Sequence, residues 1–204
     1  MTKLSFRTAE PQDADAVVPL MYHSSKQLFD HVMRERDNPQ AFLRHDFLRG
    51  DGLFGYKNQV VGTDTDGTIA VTCTLYPGRR LDELTRATGR SALGHYGAFR
   101  VIAIGLRARS LKDLFIEPRH DGMFLANACV ISDRRGEGLF SAALEHAVGR
   151  ARAAGLVVIQ LDVGFSNAAA QATYQGLGFR VVAERTHRGK EGLDGFRRME
   201  LAVS

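Results

Sequence analysis

Only two cysteines, Cys73 and Cys129, occur in 204 residues. They are too few for a disulfide framework or a cysteine-based zinc cluster, and on predicted strands they read as buried thiols. Long apolar runs are missing too. The longest uncharged apolar stretches, 101–106 and 123–131, are strand-sized, well short of the ~18 residues of a membrane span, so no membrane contact is expected. Met1–Arg7 has no signal-peptide core, and a cytoplasmic location is the expectation. Seven histidines (23, 31, 45, 95, 120, 146 and 187) show no metal-ligand spacing such as H-E-x-x-H, so no metal is expected. No G-x-S-x-G elbow is present for a serine nucleophile. No repeat or low-complexity tract interrupts the chain.

What is present is an ordinary globular mixture, 44% hydrophobic and 25% charged, long enough to bury a core as one domain over 1–204. The net charge of +4 is local. Residues 77–120 hold nine Arg or Lys (79, 80, 86, 90, 100, 107, 109, 112, 119) against four acids (82, 83, 113, 117). One basic segment points to an anionic ligand, a nucleic acid, an anionic partner, or a solvated helix face. Against nucleic acid stand the lack of aromatic residues interleaved with the basic ones and of a helix-turn-helix signature.

Alternation over 3–8 predicts a short strand. Asp13 is placed to cap a helix whose apolar positions run from Val17 to Met33, with Pro19 in its early turns. Asn38-Pro39 starts another helix, with Phe42, Leu43, Phe47 and Leu48 as its apolar face and Gly50–Gly52 as its stop. Two β-branched runs, 58–63 and 68–76, flank Asp66-Gly67 as a hairpin. The 44 residues from Pro77 to His120 are too long for a structureless hairpin loop. Their apolar spacing predicts two helices separated near Gly94–Gly97, an insertion between strands three and four that shapes the acceptor side of any site. A buried strand (123–131), an amphipathic helix (135–154), a strand (156–163), a helix capped by Asn167 (168–176) and two closing strands (179–184, 196–203) follow. A Gly-rich charged loop, 187–195, joins those last two. The strand-helix-strand unit is parallel and the hairpins antiparallel. The fold class is therefore α/β of mixed character, a largely antiparallel sheet with helices on both faces.

Two segments carry chemistry. In the first, a strand enters Arg134-Arg135-Gly136-Glu137-Gly138-Leu139 and opens a long helix. Unpaired N–H groups at a helix start, glycines that let a ligand approach, and two arginines make a pyrophosphate cradle. It is neither a P-loop, lacking Lys-Ser/Thr after Gly138, nor a dinucleotide fingerprint, lacking the third glycine. In the second, Asn167, Ala170 and Tyr174 share one helix face; the small alanine leaves room for a ligand and the tyrosine is a proton donor.

Together these segments resemble the GNAT acetyltransferase superfamily. Arg135-Gly136-Glu137-Gly138 matches its Q/R-x-x-G-x-G/A motif through the fourth position. Asn167-x-x-Ala170-x-x-x-Tyr174-x-x-x-Gly178-Phe179 resembles the second half. The resemblance implies acetyl-CoA as co-substrate. Its pyrophosphate would lie on Arg135, Gly136, Glu137, Gly138, Leu139, Phe140 and Ser141, and its pantetheine arm along Ala128, Cys129 and Val130 with help from Asn167. It also implies Tyr174 as general acid, Asp162 or a water chain as base, and backbone N–H groups near Ala128–Val130 as oxyanion donors. Phe140 departs from the motif, standing where a glycine or alanine belongs. Cys129, on the same strand, keeps a reactive role open. The reaction expected is acetyl transfer to a primary amine of a small molecule or peptide by direct attack. The rival is a non-catalytic CoA sensor or nucleic-acid-associated module on the same scaffold. A homodimer is left open.

Overall fold

The computed structural model describes residues 4–186 and 193–203. Its β-branched, alternating segments form β1 (Ser5–Thr8), β2 (Gln59–Thr63), β3 (Ile69–Pro77), β4 (Gly122–Val130), β5 (Val158–Gly164), β6 (Arg180–Thr186) and β7 (Gly195–Ala202). They make one seven-stranded sheet in the order β1-β2-β3-β4-β5-β7-β6. Every neighbouring pair is antiparallel except β4–β5.

Adjacent residues of a strand point to opposite faces, and Val60 and Val61 of β2 accordingly join different cores. On one face, Cys73, Leu75, Met123 and Leu125 pack on Leu144, Ala147 and Ala151 of α6 (Leu139–Ala153). On the other, Val61 meets α1 (Ala14–Ser24), α2 (Lys26–Met33) and α3 (Pro39–Arg49). The mixed sheet with helices on both faces is the architecture the sequence implied.

Several local expectations change. Asp13 stands at the N-cap position of α1 but makes no side-chain cap; its carboxylate takes Arg7 at 2.6 and 2.9 Å and the Glu10 N–H at 2.7 Å. The helix expected to run on to Met33 breaks at Ser25, whose backbone is non-helical. Adjacent serines compete for backbone partners, and the Ser24 hydroxyl donates to the Met21 carbonyl at 2.7 Å. Leu48 is 44% exposed rather than part of the apolar face of α3. The helix expected from Arg135 begins at Leu139, because Gly136 and Gly138 both adopt positive φ. Asn38, by contrast, caps α3 as expected, accepting the Ala41 N–H at 3.2 Å. Of the loop 187–195, residues 187–192 lie outside those described.

The long segment between β3 and β4 is helical in two pieces, α4 (Leu81–Tyr96) and α5 (Ala98–Ser110), parted by Gly97. Two buried carboxylates dock it. Asp46 of α3 is fully buried and accepts the Thr88 hydroxyl of α4 at 3.1 Å and the Phe54 N–H at 3.2 Å. Burial pushes its pKa up. Asp37, 5% exposed, pairs with Arg107 of α5 at 3.2 Å and Arg100 at 3.5 Å, while the Tyr96 hydroxyl donates to its carbonyl at 2.8 Å.

Gly52 sits against the first of these anchors. A Cβ there would lie 2.4–2.6 Å from the Asp46 carboxylate oxygens and the Thr88 hydroxyl. Gly52→Ala is expected to cost about 1–3 kcal/mol of stability by overpacking. Gly89→Ala, at an open position of α4, should instead gain about 0.4–1 kcal/mol. Thermal unfolding followed by circular dichroism checks both signs.

Candidate active site

The only parallel pair among the described residues is also the shortest zipped. β4 and β5 pair at Gly122, Met123 and Phe124 and then separate. Against β3 the β4 register passes from Thr74↔Ala126 to Thr72↔Cys129. Asn127 and Ala128 therefore oppose Cys73 alone, a β-bulge that bends the strand. Asn127 takes the left-handed φ of +48° that the bulge needs. Asparagine tolerates that region better than other non-glycine residues.

A chain of hydrogen bonds holds the bulge. The Ser25 hydroxyl donates to Asn127 Oδ1 (3.2 Å), Asn127 Nδ2 donates to the Thr74 hydroxyl (3.2 Å), and Thr74 donates to Gln59 Oε1 (2.9 Å). The strands part around a cavity of about 400 Å³. Its walls are 125–128 of β4, 161–164 of β5, Asn167 and Tyr174 of α7 (Ala168–Gly176), the α1–α2 junction at 23–28, and 193–196 at the start of β7.

Of the expected site residues, Ala128, Asp162, Asn167 and Tyr174 meet at this cavity. Asn167 caps α7, its Oδ1 accepting the Ala170 N–H at 3.1 Å, which leaves its Nδ2 for another acceptor. Tyr174 packs on Phe140 (5.2 Å) and Phe179 (5.8 Å). Its hydroxyl has no hydrogen-bond partner among the described residues. Burial pushes its pKa up to about 12, so it holds its proton at neutral pH. Phe140 turns inward onto the core and this ring, so its bulk stays off the turn.

Beyond the cavity, Cys129 and Val130 pair with β3, and the exposed turn 135–138 leads into α6. The backbone N–H groups of 136–141 have no acceptor among the described residues; the first bond into α6 runs from the Ala142 N–H to Gly138, 3.2 Å. Nothing lies within 4 Å of where a Cβ would stand on Gly136 or Gly138. This open ring of donors at a helix start fits a pyrophosphate. Arg135 is exposed, whereas Arg134 is spent on Asp64 (2.7 Å) and Glu137 (2.9 Å). Burial raises the Cys129 thiol despite nearby Arg135, and raises Cys73 to about 12; both sit as packing thiols.

Asp162 is engaged. Both its oxygens accept from the guanidinium of Arg198, at 2.6 and 3.0 Å, and Arg198 is 2% exposed. Burial pushes the Asp162 pKa up and Arg198 pulls it back. The same guanidinium donates to the carbonyls of Ile116 and Glu117 and lies 5.0 Å over the Phe124 ring.

Residues 77–120 contribute no described wall of the cavity. The insertion is rooted beside Pro77 and Gly122, where β4 and β5 are still zipped, and the cavity opens past Phe124. It supports the site one layer back, through Arg198 and through Phe115 against Phe196 at 5.2 Å. Asn127, Ser25 and Arg198 are site residues that the motifs did not indicate. A lone polar residue inside the apolar run 123–131 was the available signal for Asn127.

Residues 103–179, which contain both motif segments, match the acetyltransferase (GNAT) family. That family is one of acetyltransferases, and the likeness extends over this stretch of the chain. Its fold is similar over nearly the whole chain to an N-acetyltransferase from Staphylococcus aureus (TM-score 0.74, 14% identity, covering 97% of this chain and 100% of that one). It is likewise similar to another structure described as an acetyltransferase (0.69, 22%, 98% and 100%). A Salmonella typhimurium protein solved with its cofactor acetyl-CoA is a third (0.56, 17%, 98% and 94%). At these identities the likeness is one of fold. No curated protein matches the sequence.

The buried ion pair of Asp162 and Arg198 has a stability consequence. Arg198→Met would leave Asp162 buried without a counter-charge, a loss of about 3–5 kcal/mol at neutral pH. Without Arg198 the folded-state pKa of Asp162 rises further above its unfolded value, so the deficit is present above the folded pKa. It shrinks as pH falls toward the ordinary carboxylate range, where Asp162 protonates. Urea unfolding of both proteins across pH 4–7 (roughly the span between those limits) checks this; a pH-independent deficit contradicts it.

Proposed function

We propose that this GNAT domain transfers an acetyl group from acetyl-CoA to a primary amine by direct attack, with Tyr174 as general acid. The parting of β4 from β5 at the Asn127–Ala128 bulge carries the reading. It leaves a strand edge at the cavity that Tyr174 also lines, and the donor turn at 136–141 follows further along the same chain segment. Acetyl-CoA would supply the thioester there. The turn residues 135–141 hold its pyrophosphate, the free edge of 128–130 its pantetheine arm, and Asn167 Nδ2 a carbonyl along that arm.

The chain's own groups divide the remaining work. Main-chain N–H groups of the bulged strand face the position where negative charge develops on the carbonyl oxygen. Tyr174 delivers its proton to the departing thiolate. The ammonium proton of the acceptor leaves along water toward Asp162, whose engagement by Arg198 makes it a sink at the end of a relay rather than a direct base. The acceptor, a small molecule or a peptide terminus, enters between the α1–α2 junction and the start of β7. A nucleic-acid role loses ground because Arg80, Arg100, Arg107 and Arg119 are paired with acids of this chain.

Thiol release from acetyl-CoA with a panel of amines tests the reading. Tyr174→Phe is expected to lower kcat about 100-fold or more with cofactor affinity little changed. A full-rate variant refutes the acid role. Gly138→Asp, which sets a carboxylate in the donor turn, should weaken CoA binding at least ~10-fold by calorimetry. Intact CoA binding with no amine in the panel acetylated would favour a CoA sensor.

A further inference from the structure

The insertion leaves an apolar face exposed among the described residues. Phe99 is 93% exposed, Leu106 65% and Ile102 61%. Spaced i, i+3 and i+7 on α5, they form one stripe. They leave on the order of 400–500 Å² of apolar surface, within the upper range of the largest patch on an ordinary monomer. The opposite side of α5 is the docked one. It carries buried Ile104 and the arginines 100 and 107, whose charges are met by Asp37.

We propose that this stripe is a self-association surface, in which α5 of one copy packs antiparallel on α5 of a second across a twofold axis at Ile102. Two observations favour a second copy over other occupants. First, two such stripes together approach the ~1,000 Å² that a specific interface needs, before any rim is counted. Second, the stripe is self-complementary. With Ile102 on the axis, position 99 faces 105 and position 106 faces 98 of the other copy. Each large side chain, Phe99 and Leu106, then lies over a small residue, Gly105 and Ala98, as close helix packing requires.

Gly105, like the equally open Gly89 and Gly94 of α4, leaves room for a close approach. It is exposed in mid-helix, has nothing within 4 Å of a would-be Cβ, and weakens the helix with no return inside the chain. A closely approaching protein backbone gives it a use; a lipid surface does not. Asp37 offsets part of the charge of Arg100 and Arg107, while Arg109, seven residues after Ile102, stays exposed on the same face and is a cost the packing must meet.

The test is oligomeric state by light scattering and sedimentation, independent of any acetyl transfer. The wild type is expected to be a dimer at micromolar concentration. Ile102→Lys, which sets like charges together on the axis, should weaken association about 100-fold or more. Gly105→Leu, which strengthens the isolated helix while filling the space beneath the facing Phe99, should weaken it too without loss of thermal stability. Cys73 and Cys129 are buried, so the thiol of Ile102→Cys is the accessible one, and on the axis it should form a disulfide with its own copy under mild oxidation. A monomeric wild type overturns the proposal. So does a dimer that survives Ile102→Lys, or a monomer that binds anionic vesicles through Phe99, which would reassign the stripe to a membrane.

Discussion

The β-bulge at Asn127–Ala128 is the constraint on which the rest of the site depends. A regular β4 would continue its ladder with β5, and the sheet would close over the place where a ligand arm and an acceptor must meet. One extra residue in β4 forces the strands apart after three paired positions. The cost is a left-handed non-glycine residue and a row of unpaired strand groups. The chain from Ser25 through Asn127 and Thr74 to Gln59 offsets that cost and ties the bulge to the junction between α1 and α2. The break in the first long helix and the break in the sheet are thus two ends of one polar network.

Buried charge does the fastening elsewhere. Asp46, Asp37 and Arg198 each sit under 10% exposed, and each joins the insertion to a different part of the domain: α3, the turn after α2, and β5 with β7. Such groups add little net stability against an apolar alternative, but each is costly to orphan. They tie the insertion to three parts of the domain, although none of the cavity's described lining comes from it.

Much of this was legible in the residues. Asn38-Pro39, Asp66-Gly67 and Asn167 carry local turn and cap chemistry that acts within a few residues, and their elements formed where expected. The insertion's two helices followed from apolar spacing. The motif residues Asn167 and Tyr174 met at the cavity because they ride on one short helix face. What the sequence could not show depends on distant partners. Arg7 takes the Asp13 carboxylate from its cap role, and Arg198, 36 residues away along the chain, holds Asp162 in an ion pair. The insertion's place relative to the cavity depends on which end of β4 stays zipped, and no local pattern encodes that. Asn127 was visible only as an oddity, a polar residue in an apolar run, whose meaning required the register of β3.

The guanidinium of Arg198 has a consequence for how the domain unfolds. It gathers the tail of the insertion, the middle of β5 and the body of β7 around one buried cation. Loss of β5 would strip the cation of its counter-charge, and loss of the insertion's tail would strip it of two carbonyl acceptors. The insertion is therefore not an appendage that frays while the sheet persists. Its last turn and the two strands beside the cavity form one cooperative unit, and their amide protons should share a common exchange free energy close to that of the whole domain.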